Sequence, residues 1–159
     1  MLTDDSVLAS WDAEEYGLLG STEFVEEYIP WLTESAVAYL NIDVGTSGPR
    51  PGFAATPDLH TIAADVMKKV IFPRVGALTD KYPQARTTNQ TLYDVWAEET
   101  KAEFGVLGSG SDYTAFLHRG ISSVSAGGQH DAKARLITRR SIWEPTKAST
   151  TQCTITTRK

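Results

Sequence analysis

The string Ser10-Trp11-Asp12-Ala13-Glu14-Glu15-Tyr16-Gly17 ends a short apolar run, Val7-Leu8-Ala9, on a pair of adjacent carboxylates. In an extended backbone neighbouring side chains point to opposite faces. Glu14 and Glu15 are then expected to face two tasks, one towards a metal ion and one towards a water bound to it. That division suits metal-assisted hydrolysis, in which the ion lowers the pKa of a water and a nearby carboxylate takes its proton. On the pair alone, a solvated acidic turn is the competing reading. Asp43 is the next candidate, because it ends an apolar stretch and open α/β sheets place functional groups at strand ends. An aspartate that merely opens a glycine-rich turn reads the same way. Gly108-Ser109-Gly110-Ser111-Asp112 is the third, a glycine-rich loop of the kind that binds anions, caps a helix or simply turns.

These residues need elements to hold them. Val7 to Ala9 reads as a buried strand closed off by Gly17 and Gly20. Gly20-Ser21-Thr22-Glu23 reads as a helix start with a hydroxyl cap and early acids. Phe24, Val25, Tyr28, Trp31 and Leu32 follow at helical spacing, a stripe suited to packing on a sheet, and Pro30 is expected to bend or end the helix. Ala36 to Asp43 reads as a second strand and Val44 to Phe53 as a loop rich in Gly and Pro. Thr56-Pro57-Asp58 opens a helix whose apolar face is Leu59, Ile62, Ala63, Val66 and Val70. Pro73 to Asn89 reads as a surface excursion and Leu92 to Glu103 as a helix. A short helix from Asp112 to Arg119 then leads to a third strand from Ile121 to Ser125. Alternating strands and helices imply an α/β fold with a parallel or mixed sheet.

The chain has 159 residues, a formal net charge of −5 and a single cysteine, Cys153. That length suits one domain with a real core. The charge gives no electrostatic case for nucleic acid or for an anionic membrane surface. The apolar runs are far shorter than a membrane span, and the first residues lack the pattern of a signal peptide. One cysteine cannot close an internal disulfide, and no Cys/His spacing suggests a structural zinc site.

Residues 10–23, SWDAEEYGLLGSTE, closely resemble the active-site segment of the zinc-dependent aminopeptidase-like exopeptidases. The branch concerned contains glutamate carboxypeptidase II and the transferrin receptors. The resemblance implies that Glu14 is the general base and Glu15 a zinc ligand. Leu40-Asn41-Ile42-Asp43 is similar to the family's next strand, which implies a ligand role for Asp43. Leu107 to Tyr113 is similar to the loop that lines the substrate pocket, which implies pocket positions for Gly108, Ser109, Gly110 and Ser111 and a structural role for Asp112. The fold implied is part of a three-layer sandwich, a mostly parallel or mixed central sheet flanked by helices. Glutamate-preferring members carry asparagine where this chain has Ser111, and arginines after the strand that follows Gly120. Here that stretch reads Val124-Ser125-Ala126-Gly127, so a glutamate-specific carboxypeptidase is not expected.

The family's site holds two zinc ions, using a histidine and a bridging aspartate from before the acidic strand and a histidine from after the third strand. None of these has a match here: His130 lacks the expected surroundings, and His60 and His118 fall on expected helices. Carboxylates without imidazole make a poor zinc site, so weak zinc binding and negligible hydrolysis are expected of this chain alone. The resemblance covers 1–126, and 127–159 read as a divergent, poorly ordered tail, either a lineage-specific end or the product of a shifted reading frame. A fragment of an exopeptidase acting on terminal peptide bonds is the first reading. A non-catalytic, transferrin-receptor-like interaction domain is the second. The family implies a peptide substrate, dimerisation through a C-terminal helical domain absent here, and a membrane-anchored, extracytoplasmic or vacuolar location.

Overall fold

A computed structural model of the chain describes residues 5–45, 50–72, 90–129 and 151–157. The strands are β1 (Asp5–Trp11), β2 (Ala36–Ile42), β3 (Arg50–Ala55), β4 (Ser123–Gln129) and β5 (Thr151–Thr157). The helices are α1 (Leu19–Ser35), α2 (His60–Met67), α3 (Leu92–Thr100) and α4 (Tyr113–Leu117), with 3-10 turns at Glu14–Tyr16 and Pro57–Leu59. The strands form one sheet in the order β1-β5-β2-β4-β3. β5 runs antiparallel to both β1 and β2, β2 runs parallel to β4, and β3 is antiparallel to β4. The sheet is therefore mixed, with β1, β2 and β4 pointing the same way and their C-terminal ends on one edge.

Register separates the two faces. Val7, Ile155, Tyr39 and Ser123 lie in one row across four strands. On that face Ile155, Tyr39 and Ser123 are fully buried beneath Val25 and Leu32 of α1 and Tyr113 and Phe116 of α4. Tyr39 stacks on Phe116 at 4.0 Å between ring centroids, a pairing worth about 1 kcal/mol beyond its buried area. The next row along is Leu8, Thr154, Leu40 and Val124, on the opposite face. There α2 leans over the β2–β4–β3 half and leaves a groove of about 500 Å³ lined by Leu40, Ile42, Phe53, Val66 and Met67.

Several elements differ from what the sequence suggests, each for a local reason. Helix α1 begins at Leu19 rather than at a hydroxyl cap, because Leu18 turns into the left-handed region at φ 61° and offers no side-chain cap. Pro30 sits inside α1, which continues to Ser35; its ring faces solvent, where the carbonyl it leaves unbonded can be hydrated. The expected loop from Val44 to Phe53 contains the start of β3. Pro51 and Gly52 read as loop residues, yet proline is tolerated on an edge strand, and β3 is one. Helix α3 stops at Thr100, not Glu103, because Lys101 and Ala102 both adopt positive φ. The third expected strand is displaced to Ser123–Gln129. Within the tail, residues 151–157 supply β5, paired on both sides. The expected excursion from Pro73 to Asn89 lies outside the described residues.

Candidate functional site

β1 ends at Trp11, and the chain then turns sharply. Ala13 adopts φ 57° and its N–H donates to Asp12 Oδ1 at 2.8 Å. Glu14 and Glu15 occupy the following 3-10 turn, which closes at Gly17 with φ 105°. The extended backbone expected at the glutamate pair is thus replaced by a turn, in which successive side chains diverge by about 120°. They still separate: Glu14 is half-buried and Glu15 is exposed. Gly20 fixes the path into α1, because a Cβ there would lie 2.7 Å from the Asp12 carbonyl oxygen.

Since β1 and β2 are parallel, Glu14 and Asp43 leave the sheet at the same edge. Helix α4 brings the third group, for Ser111 precedes it and reaches across β2. The Ser111 hydroxyl donates to Asp43 Oδ2 at 2.9 Å and accepts from Asn41 Nδ2 at 3.0 Å. Tyr39 donates to Asn41 Oδ1 at 3.2 Å, and Trp11 Nε1 donates to the Tyr39 hydroxyl at 2.9 Å. A continuous chain of hydrogen bonds therefore runs from Trp11 on β1, through two residues of β2, to the Asp43 carboxylate. Beside it, buried Ser21 donates to buried Asp112 at 2.6 Å, tying the start of α1 to the start of α4. Burial pushes the Glu14 carboxyl above its ordinary range, and repulsion from Asp43, Glu15 and Asp112 adds to the rise. A carboxyl held this way suits a proton acceptor that must also give its proton back. A cleft of about 350 Å³ opens beside Asp43, between Gly52, Phe53 and Ala54 of β3 and Ser125 to Gly128 of β4.

Gly108, Ser109 and Gly110 are exposed, whereas Ser111 is buried with its hydroxyl engaged by Asn41 and Asp43. Among the described residues, no group of three or more His, Cys, Asp or Glu side chains gathers as an ion's ligand set. His60 stacks on Phe104 at 4.4 Å, with a ring nitrogen 3.1 Å from the Ala55 carbonyl oxygen. His118 is exposed at the end of α4, and His130 lies outside the described residues. Zinc sites draw on imidazole and thiolate for affinity and geometry, so the described carboxylates do not by themselves fit a zinc ion. Trp11, Tyr39, Asn41 and Ser21 hold the site together without being marked as site residues by the sequence. The available signal was Asn41, a polar side chain in an apolar strand on the face that Tyr39 and Ile155 bury.

The sequence pattern of Peptidase family M28 matches residues 2–152. The chain belongs to that family. A probable glutamate carboxypeptidase of Arthroderma benhamiae is 58% identical over 125 residues, which cover 79% of this chain and 16% of the relative. A probable glutamate carboxypeptidase of Arabidopsis thaliana is 40% identical, over 74% of this chain and 16% of the relative. The aminopeptidase NAALADL1 of Mus musculus is 36% identical, over 79% of this chain and 17% of the relative. These names place the M28 chain in the glutamate carboxypeptidase-like branch of the zinc exopeptidases. The chain spans about a sixth of the length of the curated relatives it matches. Among the described residues, no helix is long and apolar enough to cross a membrane.

Proposed function

We propose that this chain is a fragment of a zinc-dependent exopeptidase that hydrolyses terminal peptide bonds, and that it carries the acidic half of the active site. Glu14 is the general base. Glu15 and Asp43 are the ligands the segment offers to zinc, and the nitrogen ligands come from elsewhere in a longer chain. The observation that carries the reading is the meeting of Glu14 and Asp43 at one sheet edge, where burial first, and then repulsion from Asp43 and its other acidic neighbours, raises the Glu14 carboxyl. Ser111 and Asn41 hold the Asp43 carboxylate in one orientation, as ligating carboxylates require. Gly108, Ser109, Gly110 and Ser111 are the positions assigned to the pocket that takes the peptide end. The names of the relatives support a catalytic lineage over a non-catalytic, transferrin-receptor-like interaction domain. In the longer protein we place the domain outside the cytosol or in a vacuole, membrane-anchored, and dimeric through a C-terminal helical domain.

Grafting this segment into the Arthroderma benhamiae relative, in place of its own matching 125 residues, separates the two readings. An exopeptidase segment gives a chimera that releases terminal residues from a peptide panel and stops when zinc is chelated. A folded chimera that binds peptides or proteins without turnover would favour the interaction domain. The 159-residue chain alone is expected to show negligible turnover and no micromolar zinc affinity by calorimetry.

A further inference from the structure

Two physical costs meet around residues 101–106, the segment that leaves α3. Helices commonly end on one left-handed residue, usually glycine. Here two follow α3, Lys101 at φ 57° and Ala102 at φ 60°, and neither is glycine. Each makes the closed conformation roughly five- to thirtyfold less favourable than a right-handed residue would. The second cost lies beside them. Trp96 is 1% exposed, yet its indole N–H has no hydrogen-bond partner among the described residues. A buried donor left unbonded forfeits its hydration without replacement.

One side chain holds the segment down. Phe104 stacks on His60 at 4.4 Å between centroids and tilts against Trp96 at 4.7 Å. It is half-buried, whereas its neighbours from Lys101 to Val106 are exposed. Anchored there, Phe104 brings Gly105 alongside β3. The Gly105 N–H donates to the Phe53 carbonyl at 2.9 Å, and the Gly105 carbonyl accepts from the Ala55 N–H at 3.3 Å. Together they make an isolated parallel bridge, Ala54 opposite Gly105. Gly105 also lines the cleft beside Asp43, whose other described walls are β3, β4 and the end of β2.

From this we infer that residues 101–106 are a strap, latched by Phe104, that opens as a unit and gates the cleft beside Asp43. Opening withdraws Phe104 from Trp96, lets water reach the indole N–H, and frees Lys101 and Ala102 from the left-handed region. One local movement thus relieves both costs of the closed form. It breaks only the two backbone bonds at Gly105 and the ring contacts of Phe104, so the sheet and α3 stay folded. The cleft then loses its Gly105 wall and widens along Phe53 and Ala54. The inference does not rest on the peptidase reading, since neither Glu14 nor Asp43 takes part in the movement.

Native-state hydrogen exchange of the whole chain, followed by NMR at low urea, tests this. The backbone N–H groups of Gly105 and Ala55 and the Trp96 indole N–H should share one protection factor with weak urea dependence, the mark of a local opening. The Tyr39 N–H of β2, bonded to the Ser122 carbonyl at 2.9 Å, and the backbone of α3 should be protected about tenfold better or more. Ala102→Gly relieves one left-handed residue and should raise the protection of all three strap protons together, by about fivefold. Phe104→Ala should leave those three unprotected while Tyr39 stays protected. The Trp96 indole is the diagnostic proton, because it is carried by α3 but should follow the strap. An indole that exchanges with the backbone of α3 instead, equal protection for Gly105 and Tyr39, or no response to Ala102→Gly would overturn the inference.

Discussion

At the scale of single residues, the site depends on how firmly its acids are held. Asp43 leaves the end of β2 with one oxygen accepting from Ser111, and Ser111 is fixed in turn by Asn41, Tyr39 and Trp11. Removing the Tyr39 hydroxyl strips both Trp11 Nε1 and Asn41 of a partner while leaving the stack on Phe116 intact. Tyr39→Phe should cost about 1–2 kcal/mol in urea denaturation, a loss that an unchanged midpoint would contradict. Gly20 has a second exacting position. Gly20→Ala sets a methyl group against the Asp12 backbone, which cannot yield without moving the glutamate turn. A loss of about 2 kcal/mol in thermal unfolding is expected. Glu14 and Asp43 were legible because acids at the ends of apolar strands stand out by type. The role of Ser111 was not, because its burial depends on how the start of α4 packs against the end of β2, which Gly-Ser-Gly-Ser does not encode locally.

At the scale of elements, β1, β2 and α2 follow from periodicity and punctuation, and their boundaries move only where backbone geometry overrides propensity. β3 was hidden by Pro51 and Gly52, residues that end most strands and are admitted here because the strand lies at the sheet's edge. Arg50 Nε and Glu99 Oε2, 2.6 Å apart, then fasten β3 to α3. Helix α3 begins with a capping box, in which Thr91 and Asp94 each bond the other's backbone N–H. Those bonds from the Thr91 backbone N–H and hydroxyl hold the Asp94 carboxyl below its ordinary value. A depressed folded-state pKa stabilises the fold above the unfolded value, near 4, and the contribution disappears as pH falls through the folded one. Asp94→Ala should therefore unfold at a lower urea concentration at pH 7, by about 0.5 kcal/mol for this exposed group. The gap should close as pH drops below the usual carboxylate range. A gap that stays constant down to pH 2 would show that the carboxylate charge is not what caps the helix.

At the scale of the whole molecule, the parallel course of β1, β2 and β4 explains why residues far apart in sequence share one edge. A mixed α/β sheet was legible from the alternation of elements; the strand order was not. β5 enters between β1 and β2 from a Thr-rich stretch in which Ile155 is the one aliphatic residue, and a single aliphatic position carries no detectable period. The candidate site offers Glu14, Glu15 and Asp43 and lacks imidazole among the described residues, so its chemistry is open to test only where the rest of an exopeptidase surrounds it. The most direct measurement is peptidase turnover of the Arthroderma benhamiae chimera with and without Glu14→Gln. A general base accounts for about 10²- to 10⁴-fold in rate. Glu14→Gln should lower kcat by that factor, with KM and folding unchanged. A chimera that turns over equally well with glutamine at position 14 would contradict the account.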